Sequence, residues 1–259
     1  MTSQNPPSDA SGFRLDGRHA LITGAGKGLG RAAALALGAA GAHVYAVART
    51  AEDVAGVCAE LIGRGGDATP IVADVTKSED LRRVFGELPR LDVLVNNAGS
   101  NIPEPMVDVS EDHLDYLLGL NVRAAFLVAQ AAARCMAAQG GGGSIIHMAS
   151  QLGHVGRAGR FWYGTHKASM VQMARCMAID HAKDSIRVNS LSPGPIATER
   201  TMKRIGSVEN ALAFYGPLTL LGRQGRVEEI ANAALFLASD ESSYMTGADL
   251  LVIGGYNAR

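Results

Sequence analysis

The chain has little cysteine, no excess of either charge and no long apolar run. Its 259 residues include three cysteines, Cys58, Cys135 and Cys176. Because these are odd in number, widely spaced and not arranged like metal ligands, they exclude a disulfide scaffold and predict no bound metal. Reduced thiols of this kind are typical of a cytoplasmic protein.

The charge balance and the lack of apolar runs exclude two classes of partner. The 24 Lys and Arg residues nearly balance the 25 Asp and Glu residues, for a formal net charge of -1. This leaves no basic surface of the kind that nucleic-acid binding needs. No apolar run of membrane-spanning length is evident, and residues 1–10 are polar with no apolar signal segment. The sequence therefore predicts small-molecule partners, with no nucleic acid and no membrane.

What the chain does have is enough apolar residues for one large core. With 47% hydrophobic residues over 259 positions, an α/β chain commonly folds as one undivided unit. The polar start favours a disordered tail at 1–16. We predict a single folded domain over 17–259.

Short β-like segments alternate with helical ones, which is typical of an α/β protein whose parallel sheet is covered on both faces. Seven strands are predicted, near 20–22, 44–48, 69–72, 93–95, 144–148, 187–191 and 250–253. Asp74, Asn96, Ser150 and Pro193 each follow one of these strands. Because open α/β sheets bind ligands beyond the carboxyl ends of their strands, these residues predict one shared crevice.

A glycine-rich segment at 23–30 follows the first predicted strand and leads into an alanine-rich helical run at 31–40. Gly24, Gly28 and Gly30 allow a sharp turn and let backbone N–H groups approach a pyrophosphate, while the helix N-terminus adds partial positive charge. The spacing is Thr-Gly-x-x-x-Gly-x-Gly and not the commoner G-x-G-x-x-G. It predicts a dinucleotide cradle, and the alternative is a structural turn before a helix.

Tyr163 and Lys167 form a candidate proton-handling pair, with Ser150 upstream. A free tyrosine has a pKa near ~10, so it needs a nearby cation to exchange protons at neutral pH. In a helix, the four-residue spacing places Tyr163 and Lys167 on one face. We therefore expect Lys167 to lower the Tyr163 pKa, although an ordinary surface pair has the same spacing.

Six elements together resemble the short-chain dehydrogenase/reductase family. They are residues 23–30, residues 96–99, Asn121, Ser150, the pair Tyr163 and Lys167, and residues 193–198. The resemblance covers nearly the whole chain after residue 16. It implies a single-domain Rossmann-type doubly wound sheet of about seven parallel strands, a nicotinamide cofactor, and reversible hydride transfer between an alcohol and a carbonyl compound.

The resemblance also implies roles for individual residues. The catalytic set is Ser150, Tyr163, Lys167 and Asn121, with Tyr163 exchanging the proton, Ser150 binding the substrate oxygen, Lys167 holding the nicotinamide ribose and Asn121 holding a relay water. The cofactor set is Gly24, Lys27, Gly28, Leu29, Gly30, Arg49, Thr50, Asp74, Val75, Asn96, Ala98, Gly99, Tyr163, Lys167, Pro193, Gly194, Ile196 and Thr198.

The residues after the second predicted strand favour NADP(H) over NAD(H). Relatives that prefer NAD usually carry an acid there to bind the ribose hydroxyls, whereas this chain has Ala48, followed by Arg49 and Thr50. Lys27 lies inside the glycine segment, and two cations near a ribose 2′-phosphate would form a charge-assisted site. The alternative is that both cations are solvated surface charges.

Several assignments keep a structural alternative. Asp74 resembles the acid that contacts adenine, but an Asp after a strand is also a common turn cap. Asn121 is equally suited to bonding backbone groups. His166 replaces the serine that usually precedes the catalytic lysine, with an effect that the sequence leaves open. His147 and His154 are left out of the catalytic set, since the Tyr163 and Lys167 pair makes a histidine base unnecessary.

The polar segment 151–160 links Ser150 to Tyr163 and favours a hydroxylated or anionic substrate, such as a sugar, polyol or sugar acid. The alternative is an exposed loop with solvated arginines. Residues 198–226 are expected to form a lid over that substrate. Two other functions stay open, a 3-oxoacyl-carrier-protein reductase and a dinucleotide-binding regulator without catalysis. Helices near 121–138 and 168–182 favour a homo-oligomer, a tetramer or a dimer.

Overall fold

In the computed structural model, which describes residues 12–258, a seven-stranded parallel sheet forms the centre of the protein. The strands are β1 (His19–Thr23), β2 (His43–Ala48), β3 (Asp67–Val72), β4 (Val93–Asn96), β5 (Gly143–Met148), β6 (Ile186–Pro193) and β7 (Asp249–Val252). Their order across the sheet is β3-β2-β1-β4-β5-β6-β7. All seven predicted strands are present, and the predicted α/β doubly wound class is confirmed.

Helices cover both faces of the sheet. They are α1 (Gly28–Ala39), α2 (Ala51–Gly63), α3 (Ser78–Glu87), α4 (Glu111–Leu118), α5 (Ala125–Gln139), α6 (Phe161–His181), α7 (Glu199–Ile205), α8 (Val208–Tyr215) and α9 (Val227–Ala238). A π-helical segment, Gly119–Ala124, joins α4 to α5 without a break. One apolar core packs α1, α2 and α9 on one face, and a second packs α3, α5 and α6 on the other.

Small residues set the distance between layers. β4 is buried along its whole length, as a strand covered on both faces must be. On α1, Gly38 lies so close to α2 and β2 that an added Cβ would meet Leu61 Cδ2 at 2.5 Å and Val44 Cγ2 at 3.4 Å. Alanines and glycines on the helices therefore allow close helix-to-sheet packing.

The predicted disordered tail, 1–16, includes residues that belong to the folded domain. Residues 1–11 lie outside the described residues, but Leu15 is only 2% exposed and its backbone N–H donates to Ala40 O at 2.8 Å. The end of the predicted tail is therefore part of the folded domain. A polar stretch in the sequence does not reveal the one leucine that inserts into the core.

The expectation that no apolar run reaches membrane-spanning length was also wrong. By length and composition, the continuous helix Glu111–Gln139 reaches it, with 29 residues and a mean hydropathy of 1.3 in its most apolar window. Half of that window is buried inside the protein, as in a helix that covers a sheet. The apolar residues of this helix pack in the core on the α5 side of the sheet.

Candidate active site

The chain reverses its winding direction between β1 and β4, the point in such sheets where a crevice opens. β1 is followed by α1 on one face, and β4 leads to α5 on the other. The carboxyl ends of β1, β4, β5 and β6 meet there. A cleft of about 510 Å³ lies beside them.

The glycine segment takes a shape that other residues would block. Gly24 and Gly28 have φ angles of +65° and +57°, in the left-handed region that favours glycine. A Cβ on Gly30 would collide with the Gly24 carbonyl oxygen and lie 2.5 Å from Asn97 Nδ2. Lys27 precedes α1 without a side-chain cap on the helix N–H groups. The segment therefore has the shape and the free N–H donors that a pyrophosphate needs.

The end of β4 is tied to this turn by Thr23. Its hydroxyl oxygen accepts from the backbone N–H groups of Asn97 at 2.9 Å and Ala98 at 3.0 Å, and the Asn97 amide donates to Thr23 O at 2.9 Å. Asn97 and Gly99 line the cleft.

Asn96, one of the predicted cofactor residues, has its side chain inside the protein. Asn96 is 4% exposed and its amide donates to Ala125 O at 2.7 Å, inside the protein. Successive side chains on a strand point to opposite faces, so Asn97, its neighbour, lines the cleft instead. Strand alternation predicts that the two asparagines face opposite sides of the sheet, but not which of them faces the cleft.

Ser150, Tyr163 and Lys167 line the cleft together. Ser150 begins a 3₁₀ turn, Gln151–Gly153, and its hydroxyl accepts from Leu152 N at 3.2 Å. Two glycines, which have no side chain, allow this turn to pack closely against α6. A Cβ on Gly153 would meet Ala168 N at 3.0 Å, and one on Gly164 would meet Leu152 O at 2.9 Å. The close packing holds Ser150 beside the first turns of α6.

The Tyr163 pKa is raised by burial and partly restored by neighbours. A hydrogen bond from Ser150 lowers it, as do the Arg160 and Arg200 cations. That Lys167 lowers the Tyr163 pKa stays a prediction. The Lys167 Nζ donates to Met148 O at 2.5 Å and lies 5.8 Å from the Tyr163 ring centroid. Burial also lowers the pKa of Lys167 to about 8.

His166 packs against Tyr163 from inside the protein. The two rings meet edge to face at 5.2 Å, and His166 is 2% exposed. Burial, followed by the Lys167 charge, lowers its pKa to about 3, so the imidazole is neutral. His166 does not line the cleft, whereas Tyr163 does.

The other two histidines have structural partners. His147 is fully buried within hydrogen-bonding range of Asn96, and burial, followed by Lys167, lowers its pKa to about 4. His154 bonds Asp249 at 2.7 Å. Across residues 12–258, no cluster of three His, Cys, Asp or Glu side chains is arranged to hold a metal ion.

Asn121 and Asp74 both make the contacts of their structural alternatives. The Asn121 amide, buried in the π-helical segment, accepts from Ser100 N at 2.8 Å and donates to Ser100 O at 2.9 Å. Asp74 accepts from the backbone N–H and the hydroxyl of Thr76 at 3.0 and 2.8 Å. Burial alone would raise the Asp74 pKa, but these bonds and the Arg49 cation lower it.

The two cations proposed for a 2′-phosphate have different surroundings. Arg49 is exposed just before α2. The Lys27 ammonium pairs with the Asp53 carboxylate at 3.0 Å. Asp53 was not among the predicted cofactor residues. It lies in the first turn of α2, shortly after β2 and Arg49, and that position could have indicated it.

The structure divides the predicted cofactor residues into three groups. Leu29, Gly99, Tyr163, Lys167, Pro193, Gly194, Ile196 and Thr198 line the cleft. Gly24, Lys27, Gly28 and Gly30 form the glycine turn and the start of α1. Arg49, Thr50, Asp74, Val75 and Ala98 lie near the carboxyl ends of β2, β3 and β4, and the Val75 side chain is in the core.

Comparisons with known proteins agree with this geometry. The family model described as Enoyl-(Acyl carrier protein) reductase matches residues 24–257. A (3R)-3-hydroxyacyl-CoA dehydrogenase of Mus musculus is 36% identical, over 95% of this chain and 98% of that relative.

Two solved structures illustrate the likeness in fold. A short-chain type dehydrogenase/reductase from Mycobacterium marinum is 40% identical, with a TM-score of 0.86 over 95% of this chain and 98% of that one. A gluconate 5-dehydrogenase from Burkholderia cenocepacia, in complex with NADP and tartrate, is 33% identical, with a TM-score of 0.89 over 95% of this chain and 98% of that one. The chain belongs to the short-chain dehydrogenase/reductase family of oxidoreductases.

Proposed function

We propose that this protein is an NADP(H)-dependent oxidoreductase that interconverts an alcohol and a carbonyl group in a small hydroxylated molecule, such as a sugar, polyol or sugar acid. The observation that carries the proposal is the convergence of Ser150, Tyr163 and Lys167 in one cleft beside the glycine turn. A proton donor and a nucleotide cradle at one edge of the sheet are the two parts that the reaction needs.

In the reductive direction, Tyr163 donates its proton to the substrate carbonyl oxygen, and Ser150 donates a hydrogen bond to the same oxygen as negative charge develops. The Lys167 ammonium donates a hydrogen bond to Met148 O, which positions it to bind the hydroxyls of a nicotinamide ribose. Asn121 keeps a supporting role, because its contacts fix the Ser100 backbone at the edge of the cleft.

The residues around the glycine turn fit a nicotinamide dinucleotide. Gly24, Gly28 and Gly30 would hold the pyrophosphate against the start of α1, where the N–H groups have no side-chain cap. When bound, the cofactor supplies the hydride. Arg49 and Lys27 favour NADP(H), and the NADP in the gluconate 5-dehydrogenase structure supports the same choice.

A second candidate is the reduction of a 3-oxoacyl group on a carrier. The four arginines that line the cleft, Arg157, Arg160, Arg200 and Arg204, favour it because carrier proteins and coenzyme A are anionic. The description of the family model and the hydroxyacyl-CoA relative point the same way. A regulator without catalysis is disfavoured, because such proteins commonly lose the Tyr and Lys pair.

The test is a spectrophotometric assay of NADPH oxidation with ketoses, keto acids and 3-oxoacyl thioesters. We expect turnover of a small ketose or keto acid, and a loss of about 100-fold or more in kcat for Tyr163→Phe, since a positioned proton donor contributes roughly that factor. Cofactor binding by Tyr163→Phe, measured by fluorescence, should persist. Turnover of the thioesters alone would favour the second candidate, and full activity of Tyr163→Phe would refute the mechanism.

A further inference from the structure

Among the residues that the structure describes, four arginines and no acidic side chain line the cleft. Arg157 and Arg160 come from the segment between Ser150 and α6, and Arg200 and Arg204 come from α7. Apart from these arginines and Lys167, the polar residues of 12–258 that line the cleft are neutral. The space beside Tyr163 is therefore strongly positive.

Three of the four guanidinium groups contact neutral groups. Arg204 donates to the Tyr215 hydroxyl at 2.7 Å, and Arg200 donates to Asn101 O at 3.3 Å. The Arg157 Cζ lies 5.5 Å from the centre of the Phe214 ring. Within residues 12–258, none of the four forms an ion pair with a carboxylate.

Arg160 is the least satisfied of the four. Its side chain is half-buried and has no hydrogen bond or ion pair to the described part of the chain. Burial lowers its pKa, and the Arg204 and Arg157 cations lower it further. A partly buried charge without a partner is costly, and two like charges add to the cost. An anionic ligand would remove both penalties.

Arg160 also lies near the reacting groups. Together with Arg200 it acts on the Tyr163 phenol, lowering its pKa. Arg160, Arg200 and Tyr163 all line the same cleft of about 510 Å³, so a ligand anion held by the two arginines would share that space with an oxygen at Tyr163. A short hydroxy acid or hydroxy phosphate suits this arrangement.

We propose that the substrate carries a carboxylate or phosphate, which Arg160 and Arg200 bind while Tyr163 and Ser150 engage its alcohol or carbonyl oxygen. This inference rests on the proposed function and narrows its substrate class to anionic hydroxylated molecules. A planar guanidinium pairs with two oxygens of such an anion, which sets the orientation of the reacting carbon. Arg157 and Arg204, held by Phe214 and Tyr215, add to the positive field at the mouth of the cleft.

Calorimetry with matched ligands tests the proposal without requiring turnover. D-gluconate, D-sorbitol and D-sorbitol 6-phosphate share a six-carbon hydroxylated chain and differ in terminal charge. Each is titrated into the full chain saturated with NADP⁺. We expect gluconate, sorbitol 6-phosphate or both to bind at least about 10-fold more tightly than sorbitol, since hydrogen bonds between charged groups are worth roughly that factor.

Variants test whether Arg160 causes the tighter binding of the anions. Arg160→Gln should bind the anions no more tightly than sorbitol and should keep its NADP⁺ affinity within about 2-fold of the parent. Arg160→Lys should regain part of the preference for the anions. Arg82→Gln, which removes an exposed arginine on α3, is the matched control and should change neither affinity. A thermal melt of each variant confirms folding.

Three results would overturn the proposal. They are equal binding of sorbitol and the anions, no binding of either anion, and a loss of NADP⁺ affinity in Arg160→Gln without loss of anion preference. The last result would indicate that Arg160 binds a phosphate of the cofactor and not the substrate anion. Anion binding that depends on Arg160, combined with no turnover in the NADPH assay, would support the anion site and refute the proposed function.

Discussion

At the scale of the residue, burial has the largest effect on the pKa values of Tyr163, His166 and Lys167. Burial raises the Tyr163 pKa, lowers the Lys167 pKa to about 8 and keeps His166 neutral. The four-residue spacing correctly places Tyr163 and Lys167 on one helix. It does not reveal that the Lys167 ammonium bonds Met148 O, a residue 19 positions away in sequence.

The Lys167 pKa predicts a dependence of stability on pH. It is about 8 in the folded protein, against 10.5 ordinarily, so burying the ammonium costs free energy below pH 8. Between about 8 and 10.5, the unfolded chain binds more protons, and the contribution of Lys167 to the free energy of unfolding rises with pH.

Urea unfolding of the parent and of Lys167→Met measures this contribution. The parent should gain on the order of 2 kcal/mol relative to the variant between pH 8 and 10.5. The variant also leaves Met148 O without its donor, but that loss does not vary with pH. A difference that stays constant across this range would contradict the low pKa.

Asp53 predicts a change in cofactor preference. Its carboxylate holds the Lys27 ammonium at 3.0 Å and would repel a nearby 2′-phosphate. Asp53→Asn should therefore lower the KM for NADPH by about 3- to 10-fold, a modest effect because Lys27 is largely exposed. The KM for NADH should stay nearly constant. Asp53→Glu, which keeps the charge, is the control, and an equal change for both cofactors would remove Asp53 from the site.

At the scale of the element, the site depends on turns that pack closely against helices. The glycine turn fits against the start of α1 and Asn97, and the turn after Ser150 fits against α6. The sequence reveals the first turn because glycines recur at fixed spacing. Gly153 and Gly164 are 11 positions apart and show no such pattern, so only the packed structure reveals their shared role.

Gly30 offers a test of this close packing. In Gly30→Ala, the new methyl group would collide with the Gly24 carbonyl oxygen and the Asn97 amide, so the turn would have to open. We expect dinucleotide affinity to fall by at least about 10-fold and the protein to lose about 2 kcal/mol of stability. Fluorescence titration and chemical unfolding measure the two effects.

Gly56→Ala is the matched control on α2. No atom lies within 4 Å of an added Cβ there, so this variant should bind cofactor normally. Replacing a helical glycine by alanine should stabilise it by roughly 0.5 to 1 kcal/mol. Equal losses in both variants would mean that the glycine turn is not a specific cradle.

At the scale of the whole molecule, the crossover from β1 to β4 brings four strand ends to one edge and gathers residues that are far apart in sequence. The same arrangement leaves apolar side chains exposed on the outer helices. Phe126 on α5 is 46% exposed and Ile179 on α6 is 79% exposed. The homo-oligomer, the cytoplasmic location and the lid over 198–226 stay predictions.

We expect Phe126 or Ile179 to lie in a subunit interface. Phe126→Lys or Ile179→Lys should reduce the molar mass measured by light scattering from that of a dimer or tetramer toward that of the 27.0 kDa chain. Ile62→Lys, at an apolar position on α2 that is 56% exposed, is the control and should leave the mass unchanged. A monomeric parent protein would refute the prediction.

The sequence by itself determined the seven strands, the glycine turn and the identity of Ser150, Tyr163 and Lys167, because these depend on local periodicity and on residues close together in the chain. Only the tertiary structure decided that Asn97 and not Asn96 faces the cleft, that Asp53 holds Lys27, and that Arg160 and Arg200 line the same cleft as Tyr163. Side-chain direction and burial arise from contacts between distant segments, and no local pattern contains that information.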